Sequence, residues 1–369
     1  MVPETVIKKL LPLYLRQTIN KTIINLYTKH VKGIRYVKLM DEEAAVTCLL
    51  KNADSFIEQF IDHYLTMGFK HIFILDNNST DNTVIKAQKY PNVSIYSTKA
   101  SVKKYQSFIK SEFARKTIHG GWCLDVDCDE FFDYPYSDVM KLSNLLDYLN
   151  QHKYSSVLTH MLDMFSDEKI SYQKTECQEN LKKKHRFYEL KDVEKINYRS
   201  SKLAKKYGMG NRLPESELKI YFGGIRKKLY GCNCMLTKHS LFSRQEKIKL
   251  FPHTHYVDNS RIADISCVLL HYKFTSNAYN IAWQNMKSFE HTNTYSGLKE
   301  LIDSKPDFKI KRDDSLCLND LNDLVDNGFL TVSSKFLEHA HRSYCHSNGC
   351  WSPSVLPSNI KQPFRKETL

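Results

Sequence analysis

Between Ala44 and Val126 short apolar runs alternate with helical patterns, and no other feature narrows the possible folds as far. Ala44 to Leu50, His71 to Leu75, Val93 to Tyr96 and the run from Trp122 read as strands. Phe56, Ile57, Phe60, Ile61 and Tyr64 recur at helical spacing, and further helices are predicted over about Thr83 to Tyr90 and Tyr105 to Ile118. Ser55 with Glu58 three residues on reads as a capping box, and Gly68 as the stop of that first helix. Such alternation predicts an α/β fold: a mostly parallel, Rossmann-like sheet flanked by helices and joined by right-handed crossovers.

The last of these strands carries the chemistry. Trp122-Cys-Leu-Asp-Val-Asp127-Cys-Asp129-Glu130-Phe131 is an apolar run that stops on three carboxylates. On an extended backbone side chains two apart share a face, so Asp127 and Asp129 would address one spot and Glu130 would point away. Adjacent like charges need a neutralising cation, and hard divalent ions favour oxygen ligands. Ligands of open α/β sheets sit beyond the carboxyl ends of strands, where this sequence puts its charge. The functional reading is a Mg²⁺ or Mn²⁺ site that holds a diphosphate; the plainer one is an acidic turn after a core strand.

Further blocks stand in order around it. Lys51-Asn52, Glu58, His63 and Gly68 precede Asp76-Asn77-x-Ser79-Thr80-Asp81, and Trp122 to Phe131 follows. Met161-Leu-Asp163-Met-Phe165, Gly223-Gly-Ile-Arg226, Thr254-His255 and Leu269-Leu-His271-Tyr-Lys273-Phe274 come later. Together these resemble glycosyltransferases of the GT-A fold, close to the family 2-like group, over most of Ala44 to Phe274. Ala53 stands where that group has Glu, with Asp54 beside it.

The resemblance implies a hexosyltransferase, metal-dependent and inverting, that builds cell-surface polysaccharide or lipopolysaccharide. Its donor would be a nucleotide sugar, a UDP-sugar in the first instance, and its acceptor a glycan or lipid-linked glycan. Asp76 and Asn77, with Lys51 and Asn52, would lie at the nucleoside. Asp127 and Asp129 would hold Mn²⁺ or Mg²⁺, with His271 as third ligand and His255 as second choice. Lys273 and Arg226 could steady phosphate oxygens. An inverting displacement needs a base at the acceptor hydroxyl; Asp163 and Asp264 are the candidates, with Asp258 behind them.

Domain organisation follows from the same pass. Residues 1–40 form a basic amphipathic arm, 41–276 the catalytic domain with a basic insertion at about 166–222, and 277–369 a helical C-terminal extension and tail. The insertion reads as a solvated, mobile segment over the site or as a lid. In the arm Leu10, Leu11, Leu13, Tyr14, Ile19, Ile23, Ile24 and Leu26 alternate with Lys and Arg, a pattern for a helix packed on the catalytic domain or lying on an anionic membrane. No signal-peptide or membrane-spanning pattern is evident, and ten cysteines without a leader fit reduced thiols. The expected localisation is cytoplasmic, with peripheral contact at the inner face of the membrane.

A formal charge of +13 favours anionic partners. Acidic residues interrupt the basic insertion, which argues against a nucleic-acid surface. A phosphohydrolase or nuclease using the same carboxylates is the rival enzyme, though it would not need the Asp76 to Asp81 block. His339, His341, Cys345, His346 and Cys350 suggest zinc at spacings that match no common module.

Overall fold

The computed structural model describes residues 13–169, 180–215, 217–246, 248–250, 255–275, 292–305 and 308–348. Leu10, Leu11, Thr254, Cys350 and the expected segments 1–12, 277–291 and 349–369 lie outside them. Nine strands form one sheet: β1 (Thr28–Lys32), β2 (Ala44–Leu50), β3 (Ile72–Asp76), β4 (Val93–Thr98), β5 (Trp122–Val126), β6 (Glu130–Asp133), β7 (Ser156–Asp163), β8 (Thr237–Ser243) and β9 (Ile262–His271). Their spatial order is β1-β4-β3-β2-β5-β8-β7-β9-β6. The α/β class expected from the alternation is present.

The sheet is mixed, which corrects the expectation of a mostly parallel one. Four neighbouring pairs are parallel, β4-β3, β3-β2, β2-β5 and β7-β9. The other four, β1-β4, β5-β8, β8-β7 and β9-β6, are antiparallel. Two of these antiparallel pairs come from β8, Thr-Lys-His-Ser-Leu-Phe-Ser, which enters between β5 and β7 although its polar residues give no strand signal, and the other two from the edge strands β1 and β6. Because β8 opposes both neighbours, β2, β3, β4, β5, β7 and β9 still run in one direction. Their last residues, including Asp76, Asp163 and His271, therefore share one edge of the sheet.

Helix α1 (Leu13–Tyr27) precedes β1, α2 (Ile57–Met67) follows β2, α3 (Thr83–Ala87) follows β3 and α4 (Val102–Thr117) follows β4. Ile57, Phe60, Ile61 and Tyr64 of α2 are buried, as the spacing predicts, and Gly68 closes the helix at φ 104°, a conformation glycine adopts freely. The Ser55–Glu58 capping box is not formed, since the helix starts at Ile57 without a side-chain cap. The turn ahead of it is held from across the sheet instead. Thr83 Oγ1 accepts from the Ala53 N–H at 2.7 Å, and Asp81 from the Asp54 N–H at 3.1 Å.

Tyr64 couples α2 to the candidate site. Its hydroxyl donates to the Glu130 carbonyl at 2.8 Å and accepts from the Phe132 N–H at 3.0 Å. Tyr64→Phe would strand both groups in the core and should lower stability by about 2 kcal/mol in denaturant unfolding. A change within experimental error would show that this tie carries no weight.

The remaining segments pack onto this core. Ile24 of α1 is buried with Ile109 and Phe113 of α4, the packed-arm reading. The basic insertion is not a loose cover among the described residues. Val193–Asn197 pairs antiparallel with Lys219–Gly223, and Tyr198, Leu218 and Ile220 share a core with Leu158, Tyr256 and Ile262. Helix α5 (Leu142–Gln151) lies between β6 and β7, and α6 (Ile225–Tyr230) follows the insertion. Beyond residue 276 the described residues hold α7 (Thr292–Ser304) and α8 (Ser334–Asn348), and between them Leu316–Cys317 pairs as a strand with Phe187–Tyr188. Phe336 of α8 meets Tyr148 of α5 edge-on at 5.0 Å.

Candidate functional site

Strand β5 ends at Val126, and the chain turns at once, with the Glu130 N–H donating to the Asp127 carbonyl at 3.1 Å. Asp127 and Asp129 thus sit in a tight turn rather than on an extended strand, and their carboxylates meet different partners. Each Asp127 oxygen faces an ammonium, Lys110 at 2.9 Å and Lys238 at 3.0 Å. Asp129 has a different partner, its Oδ2 standing 3.3 Å from His271 Nε2.

Around Asp127 lies a buried charge cluster. Lys110 of α4 also reaches Asp125 at 3.2 Å, and Lys238 of β8 reaches Glu130 at 2.6 Å. Both lysines are almost fully enclosed. Burial alone would pull their pKa values down, but the surrounding carboxylates outweigh it and raise both, so the ammonium forms persist. Glu130, expected to point away from the acidic face, is here a partner of the same network and also accepts from the Asp127 N–H.

Around Asp129 a second chain of contacts runs inward. His271 Nδ1 pairs with Asp163 Oδ1 at 2.5 Å, and Arg226 Nε donates to Asp163 Oδ2 at 2.7 Å. Burial pushes the Asp163 carboxyl up, yet Arg226 and His271 together hold it far below the usual carboxylate range. His271 moves the opposite way: burial opposes its charge, and Asp129 and Asp163 overcome that and raise its pKa. Arg226 Nη2 is buried and has no hydrogen-bond partner among the described residues. Lys273 lies near enough to Asp129 to help lower its pKa.

These shifts have a pH signature. Asp163 has a depressed folded pKa, so its contribution to stability is present above about pH 4 and fades as pH falls. His271 has a raised folded pKa, so its contribution is full below about pH 6.5 and fades as pH rises through the folded value. Unfolding free energy measured against pH should therefore decline on the alkaline side, and His271→Gln should flatten that limb. An unchanged limb in the variant would remove His271 as its source.

The remaining expected residues divide between this edge and elsewhere. Asp76 accepts the Ser79 N–H at 3.1 and 3.2 Å, and Asn77 donates to the Thr98 and Ala100 carbonyls at 3.1 and 3.2 Å. Asn52, at φ 54°, accepts from the Thr80 N–H at 2.9 Å, while Lys51 is exposed. These residues shape the rim next to β5. Asp264 does not reach the site. It precedes His271 by seven residues in β9, roughly 23 Å along an extended strand, and both its oxygens accept from Tyr148 at 2.9 Å. Asp258 accepts the Gly210 N–H at 2.7 Å, and His255 Nδ1 lies 2.8 Å from the carbonyl of Thr237, the residue before Lys238. Asp163 is at the site, but with its oxygens engaged and its pKa depressed it is poorly suited to take a proton.

Lys110 and Lys238 escaped sequence reasoning. One sits among several lysines of α4, the other in a polar stretch without strand character, and neither spacing betrays a partner. At the tail, His339 bonds the Asn144 carbonyl at 2.9 Å, and no group of three or more potential metal-binding His, Cys, Asp or Glu residues occurs among the described residues.

A divalent ion can be tested against this geometry. The Asp163 contact occupies His271 Nδ1 and leaves Nε2 facing Asp129, an arrangement typical of oriented metal-binding histidines. Two donors about 2.1 Å from one ion and at right angles stand about 3 Å apart, close to the 3.3 Å seen between His271 Nε2 and Asp129 Oδ2. Asp129 and His271 therefore fit an ion that takes its other ligands from water or phosphate. Asp127, engaged by two ammonium groups, does not fit as a direct ligand in this arrangement. No protein-family model matches the chain, and no curated protein is significantly similar to it.

Proposed function

We propose that the chain is a glycosyltransferase that moves a sugar from a nucleotide sugar to a glycan or lipid-linked glycan. The observation that carries this reading is the Arg226–Asp163–His271–Asp129 chain of contacts at the strand-end edge that also holds the Asp76 rim. On this reading Asp129 and His271 would hold Mn²⁺ or Mg²⁺, which would stabilise negative charge on the departing nucleoside diphosphate.

The protein's own groups supply the rest. Asp163 is a positioning residue: it fixes the His271 ring and leaves Nε2 turned to Asp129. Arg226 Nη2 offers a buried N–H to an anionic oxygen, and Lys273 adds positive charge beside Asp129. Lys110 and Lys238 hold the Asp127 turn in place before ligand arrives, so that little reorganisation accompanies binding. The rim made by Asn52, Asp76 and Asn77 would receive the nucleoside.

The test is a thermal-shift panel of nucleoside diphosphates and sugar nucleotides with and without Mn²⁺, followed by turnover with and without a glycan acceptor. A shift with a sugar nucleotide that needs Mn²⁺, and turnover that rises with acceptor, are expected. No shift with any sugar nucleotide in a folded sample would reject the transferase. Turnover indifferent to acceptor would favour a phosphohydrolase on the same carboxylates.

A further inference from the structure

We infer that the segment from Leu26 to Met40, which includes the edge strand β1, is a docking surface for an anionic lipid bilayer. Among the described residues ten large hydrophobic side chains are exposed, and six of them fall in this short stretch: Leu26, Tyr27, Val31, Ile34, Tyr36 and Met40. Leu26 is 73% exposed and Met40 64%, so these are not marginal cases. Scattered exposed apolar residues are ordinary, whereas a concentration of this kind marks a contact surface.

Charge says what the surface meets. From Leu13 to Met40 there is no acidic residue, while Lys29, Lys32, Arg35 and Lys38 lie in the same stretch as the exposed apolar groups. None of these four makes an ion pair among the described residues. Basic residues interleaved with aliphatic and tyrosine side chains match a membrane interface, where headgroups take the charge and the acyl boundary takes the apolar groups.

A second copy of the chain fits less well. β1 is the outer strand of the sheet, and an open edge could accept another strand, but two features of β1 discourage this. Its register shifts between His30 and Lys32, and Lys29 and Lys32 place charge along it. Contact would be peripheral, since no helix among the described residues is long and apolar enough to cross a membrane. β1 runs antiparallel to β4, with Thr28 opposite Thr98, so its Tyr27 end lies at the edge that carries the candidate site. The docking itself is independent of the chemistry proposed there.

The full chain should be sedimented with vesicles of phosphatidylcholine alone and of phosphatidylcholine mixed with phosphatidylglycerol, at low and high salt. Binding to the mixed vesicles only, weakened by salt, is expected. Lys29→Gln, Lys32→Gln, Arg35→Gln and Lys38→Gln together should weaken it by at least about tenfold. Val31→Ser, Ile34→Ser and Tyr36→Ser together should weaken it at both salt concentrations. All these positions are at the surface, and unchanged melting curves would confirm that both variants fold. No binding to mixed vesicles, or binding kept by both variants, would overturn the inference. So would a dimer, seen by light scattering, that the apolar variant disperses while vesicle binding is absent.

Discussion

Replacing Lys238 by methionine is expected to lower the free energy of unfolding by about 3–5 kcal/mol, the usual cost of removing one partner from a buried ion pair. Methionine fills much of the same volume, so the loss is electrostatic rather than a cavity. Glu130 is 1% exposed and would keep the Asp127 N–H but lose the ammonium at 2.6 Å. Asp127 would keep Lys110, and its partial exposure softens its share of the loss. Adding Glu130→Gln should return part of the stability, because the stranded charge is then gone. Denaturant unfolding of both single variants and the double variant reads this directly. A loss below about 1 kcal/mol in Lys238→Met would mean that water reaches Glu130 and that the cluster is not dry.

Asp129→Asn tests the other half of the site. Transfer is expected to fall by about a thousandfold or more, equivalent to about 4 kcal/mol of transition-state stabilisation, while the fold is retained. Asp129 lies near the surface, and its backbone carbonyl, which accepts from the Tyr272 N–H at 2.8 Å, is untouched by the change. Asp264→Asn is the contrasting control: it alters a buried contact with Tyr148 far from the turn and should affect stability more than turnover. Product formation under saturating donor separates the two. Near-normal transfer by Asp129→Asn would remove this residue from the chemistry and with it the proposed ion site.

Much of the framework was legible because its signals are local. β2 runs from Ala44 to Leu50, the stretch that its composition marks, and the buried stripe of α2 follows from side-chain spacing alone. Gly68 is readable for the same reason, since a left-handed stop depends on one residue. What could not be read is where distant charges meet. Lys238 lies 111 positions from Asp127, and a lysine in a polar stretch looks solvated until the strand that buries it is known. That one unseen strand also accounts for two of the sheet's four antiparallel pairs. Asp163 stands at the end of β7, but its spacing says nothing of Arg226 and His271 closing over both its oxygens. Asp264 misled through proximity in sequence: residues of one long strand lie at opposite ends of it.

The position of β8 has a bearing on how the chain is made. Synthesis delivers β1 to β5 early and in order, so that half of the sheet can assemble while the rest is still being translated. The outer side of β5 has no hydrogen-bonded neighbour until Thr237–Ser243 appears, about 110 residues later. Through that interval β5 is an open strand beside carboxylates whose second ammonium has not yet arrived. Nascent chains truncated before Thr237 should therefore be prone to strand-mediated association, and release of β8 from the ribosome should end that vulnerability.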